Sequence, residues 1–205
     1  AVIGQAGWLD EFCKRIHERG LDSAPDFFTI DSGDGGTGAA PQSLIDHMGL
    51  PIRRSLPMVV DKLVHYGLRE RIRVIASGKM INPAGVAAAL CLGADCVNSA
   101  RGFMFALGCV QAMQCNKNTC PTGITTHNPK LQKGLHPPTK AERVANYVNN
   151  MAYEVGEIAH SCGVREPREL RRHHARVVTE GGQSIPLDEA YGPEMVHRMV
   201  NKQQV

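Results

Sequence analysis

Residues 26–41 read DFFTIDSGDGGTGAAP, and the fold turns on this stretch. Pro25 precedes a short apolar run, Asp26 to Asp31, that fits a buried strand, and the run ends directly in a glycine-rich loop. The same grammar recurs on both sides. Upstream, Ala1 to Ile3 reads as the tail of a strand, followed by an amphipathic helix from Trp8 to Glu18 with Trp8, Phe12 and Ile16 on one face. Downstream, Ser55 and Pro57 open a helix that Gly67 closes, and Arg73 to Ala76 forms the next strand. The loop Ser77-Gly78-Lys79 leads to an alanine-rich helix near Pro83 to Leu92, and Cys96 to Asn98 is a further strand running into SARGFMFALG. Alternating strands and helices imply an α/β fold with a parallel sheet. Roughly four strands make half of an eightfold barrel, which usually needs about 250 residues.

The expected architecture is therefore the C-terminal half of a (β/α)8 TIM barrel with a cysteine-bearing loop and a helical C-terminal tail. Residues 1–139 would form the half barrel, including the loop at 109–123, and residues 140–205 a helical segment opening with a long helix from Lys140 to His160. Four parallel strands with open edges are uncomfortable alone. The chain begins in mid-strand without an initiator Met, so the expectation is a piece of a longer protein whose other half completes the barrel.

Three cysteines, Cys109, Cys115 and Cys120, stand at C-x5-C-x4-C, and Pro121 follows the third. Close thiolates of this kind bind a soft metal or pair as a disulfide, and a Cys-Pro end suits iron–sulfur ligation. Three local ligands fit a three-iron cluster, or a four-iron one with a distant fourth ligand. Spacing alone also admits zinc, a disulfide or plain buried thiols.

The glycine-rich loop admits two chemistries. Gly33, Gly35 and Gly38 satisfy G-x-G-x-x-G after a strand, as in a dinucleotide fold, but Pro41 follows at once and the acid at the right distance, Asp61, falls inside a predicted helix. A flavin reading fits better. Glycine backbone can approach an anion closely, and Asp34 and Thr37 add directional hydrogen-bonding groups. Gly78 with Lys79, and Arg101 with Gly102, follow the last two strands, where barrels often hold a phosphate. On pattern alone a phosphate site and a set of tight turns with solvated cations stand side by side.

Composition excludes several classes. The chain of 205 residues is 42% hydrophobic and 21% charged, as a globular protein is. A net charge of +3 without a basic block, and 5% aromatics, argue against a nucleic-acid partner. No run of about 18 apolar residues could span a membrane, and the start lacks a signal pattern. Cys13, Cys91, Cys96 and Cys162 are scattered through predicted core elements, which fits a reducing cytoplasmic setting better than a disulfide framework. His127 could orient the cysteine loop, although a loop histidine without a role is the commoner case. The run REPRELRRHHAR, residues 165–176, mixes signs and reads as an exposed helix or an intersubunit contact.

Taken in order, GDGGTGAAP (Gly33 to Pro41), SGKM (Ser77 to Met80), NSARGFMFALGC (Asn98 to Cys109) and CNKNTCPTG (Cys115 to Gly123) closely resemble the FMN-binding synthase domain of the glutamate synthases, over roughly residues 1 to 175. The resemblance implies a (β/α)8 barrel with FMN at the C-terminal ends of its strands and a 3Fe-4S iron–sulfur cluster nearby. The cluster ligands would be Cys109, Cys115 and Cys120. The FMN contacts would fall among Asp34, Gly35, Gly36, Thr37, Gly78, Lys79, Arg101 and Gly102. The implied reaction is reductive amination of 2-oxoglutarate to L-glutamate. Its ammonia would come from a glutaminase (amidotransferase) domain or subunit, and its electrons from a ferredoxin or an NAD(P)H-dependent donor. A related N-methylglutamate synthase chemistry, or a non-catalytic zinc-holding interaction module, are the alternatives. The lysine that the family usually carries at the end of the first strand seen here is absent, since that strand reads Ala1-Val2-Ile3. The expectation is that this chain alone is inactive and binds FMN poorly.

Overall fold

A computed structural model describes residues 1–35 and 47–192. Three strands, β1 (Phe27–Asp31), β2 (Arg73–Ser77) and β3 (Cys96–Asn98), form one parallel sheet in that order. Ile30, Val74 and Ala76 are fully buried, so alternate side chains pack under the helices while their neighbours face the other way. Val2 joins β1 through a single parallel bridge to Asp31, and the Asp31 amide donates to the Ala1 carbonyl at 2.8 Å. The parallel α/β reading holds. Among the described residues the sheet has three strands plus this bridge, and no closed barrel.

Helix α1 (Gly7–Arg19) covers the sheet with Leu9, Cys13 and Ile16. The expected stripe of Trp8, Phe12 and Ile16 is rotated by one position. Trp8 remains 40% exposed and meets Phe12 and Phe28 edge-on, with ring centroids 6.0 and 6.4 Å away. Large rings serve here as a lid on the core edge while smaller side chains take the tight contact with the sheet.

Helix α2 (Ile52–His65) starts earlier than Ser55 and Pro57 suggest. Its first amides already have acceptors: Ile52 N–H donates to Ser32 Oγ at 3.1 Å, and Arg54 and Ser55 donate to the Pro51 carbonyl at 2.8 and 3.0 Å. Pro57 therefore lies inside the helix, where it leaves the Arg53 carbonyl without its helical donor. Gly67 closes the helix as read from sequence. Its φ of 66° lets its amide reach the Val64 carbonyl and Leu68 reach Leu63.

Helix α3 (Pro83–Cys91) opens with Asn82 accepting the Gly85 amide at 2.8 Å and with Pro83 in the first position. After β3 the chain forms α4 (Arg101–Ala106), the cysteine loop, a single turn α5 (Pro129–Gln132) and the long helix α6 (Pro137–Ser161). Helix α6 packs on α3 and α4, adding Val155 and Ala159 to the core. At the amino ends of the strands Asp95 accepts from Arg69 at 2.8 Å and from the Val74 amide at 2.7 Å, fastening β2 to the loop before β3.

Beyond α6 the expected helical remainder is corrected. Strands β4 (Arg176–Val178) and β5 (Ser184–Pro186) pair antiparallel, followed by one turn, α7 (Leu187–Ala190). Residues 165–176 are not an exposed helix either. Leu170 is 2% exposed, and Arg172 grips both carboxylate oxygens of Asp61 at 2.6 and 3.1 Å while donating to the Tyr191 carbonyl. The mixed charges look solvated in sequence because Arg172 and its partner Asp61 lie far apart in the chain. Among the described residues no helix is long and apolar enough to cross a membrane.

Candidate functional site

Three loops leave the carboxyl ends of β1, β2 and β3 and meet over one cavity of about 220 Å³. Its rim carries Gly35, Gly78, Lys79 and Arg101. Its floor is a polar row, since Asp31 pairs in register with Ser77, and Ser77 with Asn98. A parallel sheet places ligands at this end, because the loops there start from strands pointing the same way.

The first loop is locked by backbone contact. A Cβ on Gly33 would overlap the Gly49 backbone, so glycine is required, and its amide donates to the Leu50 carbonyl at 2.8 Å. Ser32, 5% exposed, joins the loops together. Its hydroxyl donates to Asp34 Oδ2 at 2.8 Å and accepts the Ile52 amide at the start of α2. The same Asp34 oxygen faces Lys79 Nζ at 3.5 Å. A Cβ on Gly78 would strike Ser32, which is how the second loop comes to lie against the first.

Gly35, Gly78, Lys79 and Arg101 thus line a single cavity, and Asp34 joins them through Lys79. Gly102 lies beneath the rim, buried under the Tyr147 hydroxyl from α6. Gly36 and Thr37 lie outside the described residues. Sequence reading missed Ser32, the Asp31–Ser77–Asn98 row and Tyr147. The row had a signal, since Asp31 and Asn98 end predicted strands and Ser77 is the first residue after one. Tyr147 had none, being 66 residues from the carbonyl it binds.

The dinucleotide reading loses its acid. Asp61 sits within α2, bound to Arg172, and burial raises its carboxyl pKa despite that arginine.

All three loop cysteines are free thiols, Cys109 and Cys115 half-buried and Cys120 buried. Burial alone would raise the Cys120 thiol, but the Thr122 hydroxyl, 3.3 Å from its sulfur, and the neighbouring Thr122 and Thr125 groups outweigh it and bring the pKa to about 6. Among the described residues no three Cys, His, Asp or Glu side chains are gathered to hold one metal ion. The thiols have the right chemistry for a soft metal centre, and no single-ion site is formed by them among the described residues. The loop is held instead by Asn118, whose side chain accepts the His127 amide at 2.6 Å and whose carbonyl accepts the Thr126 hydroxyl at 2.7 Å. His127 contributes its backbone to this contact.

Comparison with known proteins identifies the family of the chain. A family described as the conserved region in glutamate synthase matches residues 12–165. The glutamate synthase large subunit-like protein YerD of Bacillus subtilis is 40% identical over 98% of this chain and 37% of its own length. The archaeal glutamate synthase [NADPH] of Methanocaldococcus jannaschii is 39% identical over 76% of this chain and 30% of its own. The chain thus spans about a third of the length of these relatives. Among solved structures, a flavocytochrome b2 double mutant with pyruvate bound aligns with 79% of this chain and 31% of its own at TM-score 0.47 and 18% identity, a likeness too weak to carry an argument. On the family match and the identity to YerD, the chain belongs to the glutamate synthase family.

Proposed function

We propose that this chain is the flavin-phosphate-binding part of a glutamate-synthase-type oxidoreductase. One observation carries the reading: Lys79, in the loop after β2, and Arg101, at the start of α4 after β3, border the same small cavity as the glycines Gly35 and Gly78. Two cations over close-approaching backbone suit a phosphate monoester, and FMN ends in one. The donor set fits this group. Lys79 and Arg101 would neutralise the phosphate, Asp34 would hold the Lys79 ammonium in place, and Asp31, Ser77 and Asn98 would offer hydrogen-bonding groups on the cavity floor. Gly36 and Thr37 belong to the proposed contact set by their place in the same loop, and Gly102 by making room beneath it.

When bound, FMN supplies hydride chemistry, here for reductive amination of 2-oxoglutarate to L-glutamate. An iron–sulfur cluster on Cys109, Cys115 and Cys120 is proposed from their spacing and the family alone. The remainder of the parent protein, an amidotransferase and an electron donor are the proposed partners. The Methanocaldococcus relative carries NADPH in its name, so a pyridine nucleotide is the electron source to try first.

The test is an FMN titration followed by flavin fluorescence, with Lys79→Met beside the native chain. Loss of a charge-assisted contact predicts at least about tenfold weaker binding in the variant. Equal affinities would refute the phosphate assignment. Product analysis of the whole parent protein with ammonia and with methylamine then separates glutamate from N-methylglutamate formation. Stoichiometric zinc without acid-labile sulfide would replace the redox reading with a structural one.

A further inference from the structure

The two cations of the proposed phosphate site sit on different segments, Lys79 in the loop after β2 and Arg101 where the loop after β3 enters α4, so something must fix the distance between those loops. Helix α6 supplies a side chain that touches both. The Tyr147 hydroxyl lies 2.9 Å from the Ile81 carbonyl and 3.0 Å from Ser99 Oγ. A carbonyl can only accept, so the phenol proton goes to Ile81 and the phenol oxygen takes the Ser99 proton. The order is Ser99 to Tyr147 to Ile81. Ile81 follows Lys79 by two residues and bonds back to it, its amide 2.9 Å from the Lys79 carbonyl. Ser99 precedes Arg101 by two residues. One hydroxyl therefore bridges the Lys79 loop and the Arg101 loop.

The surroundings are shaped to admit it. A Cβ on Gly102 would overlap the Tyr147 hydroxyl and crowd Ser99 Oγ, so only glycine leaves the phenol room to reach both partners. The ring is braced edge-on by Phe103, with centroids 5.4 Å apart at 77°. Its backbone belongs to a 25-residue helix packed on α3 and α4, a rigid base compared with either loop.

We propose that Tyr147 is a positioning residue that sets the spacing of Lys79 and Arg101 for a phosphate monoester. The inference rests on the phosphate-site reading. It deepens that reading by assigning the span between its two cations to one hydroxyl on α6.

The experiment measures affinities for FMN and for riboflavin, which lacks the phosphate, in the native chain, Tyr147→Phe and Ser99→Ala, with thermal melting alongside. Tyr147→Phe keeps the ring and its packing and removes only the bridge. Mis-spaced cations should weaken FMN binding about tenfold, the size of one or two lost hydrogen bonds, and leave riboflavin unchanged. Ser99→Ala should move the same ratio in the same direction, and it decides the matter if Tyr147→Phe does not fold. A native preference for FMN over riboflavin that both variants retain would overturn the role of Tyr147. So would parallel weakening of both ligands, which would make the tyrosine scaffolding alone. A native chain with no preference for FMN over riboflavin would instead overturn the phosphate site itself, before any substitution is compared.

Discussion

Replacing Ser32 with alanine removes a single oxygen from the point where two loops and a helix meet. Ser32 is 5% exposed, so water has little access to repair the loss. Its Oγ is the acceptor for the Ile52 amide at 3.1 Å, the first amide of α2, and the donor to Asp34 Oδ2 at 2.8 Å. The further contact to the Asp34 amide, at 3.4 Å, is too long to count for much. An orphaned buried amide costs about 1–3 kcal/mol, and the hydrogen bond to a carboxylate adds about 1 kcal/mol for a partner that keeps Lys79. Alanine retains the Cβ that Gly78 packs against, so no cavity term is added. The expected loss is about 2–4 kcal/mol of unfolding free energy, read from the urea midpoint at unchanged slope. FMN affinity should fall as well, because Asp34 loses one of the contacts that orient it toward Lys79. A loss below about 0.5 kcal/mol, the range of an ordinary surface change, would show that Ser32 does not hold the loops together.

Two other predictions concern parts of the molecule away from the cavity. Asp95→Ala, at the opposite ends of the strands, should remove the contacts to Arg69 and the Val74 amide and lower stability by about 2–3 kcal/mol in urea, with FMN affinity unchanged; a change in affinity would contradict the separation of the two ends. Burial raises the Asp10 carboxyl, but the hydrogen bonds from Lys62 and Tyr66 outweigh it and hold its pKa below the usual 3.8. A depressed folded pKa gives stability that is present above that value and lost as pH falls through it and below. Asp10→Asn should therefore show a shallower loss of stability on acidification than the native chain, and identical acid slopes would refute this linkage.

What could be read from sequence was what is local. The strands announced themselves as short apolar runs ending in polar residues, and Gly67 marked the end of α2 because a left-handed residue there needs no distant help. The start of α2 was misread because its first amide is satisfied by Ser32, twenty residues earlier. The hairpin at 176–186 was hidden for a similar reason. Its two strands are only three residues each, too short to show an alternating pattern, and the segment is tied down by Arg172, whose partner Asp61 lies 111 residues away. The site shows the same division. Glycine and cation pairs after strands located the cavity, whereas the residue that spans its two loops sits on a helix read only as long. The cysteine spacing was plain in sequence, but spacing does not fix where three sulfurs point.

Lys79 has a further consequence. Its φ of 53° puts an L-side chain in the left-handed region, where the backbone favours glycine, or asparagine among residues with a Cβ. This turn disfavours lysine by about 1 kcal/mol relative to glycine. A stabilising screen that ignored ligands would be drawn to this position and would exchange the cation for a residue the turn prefers. Backbone stability and the proposed phosphate contact therefore pull in opposite directions at one site. Efforts to harden this domain against heat should leave position 79 alone and look for gains at the amino-terminal end of the sheet.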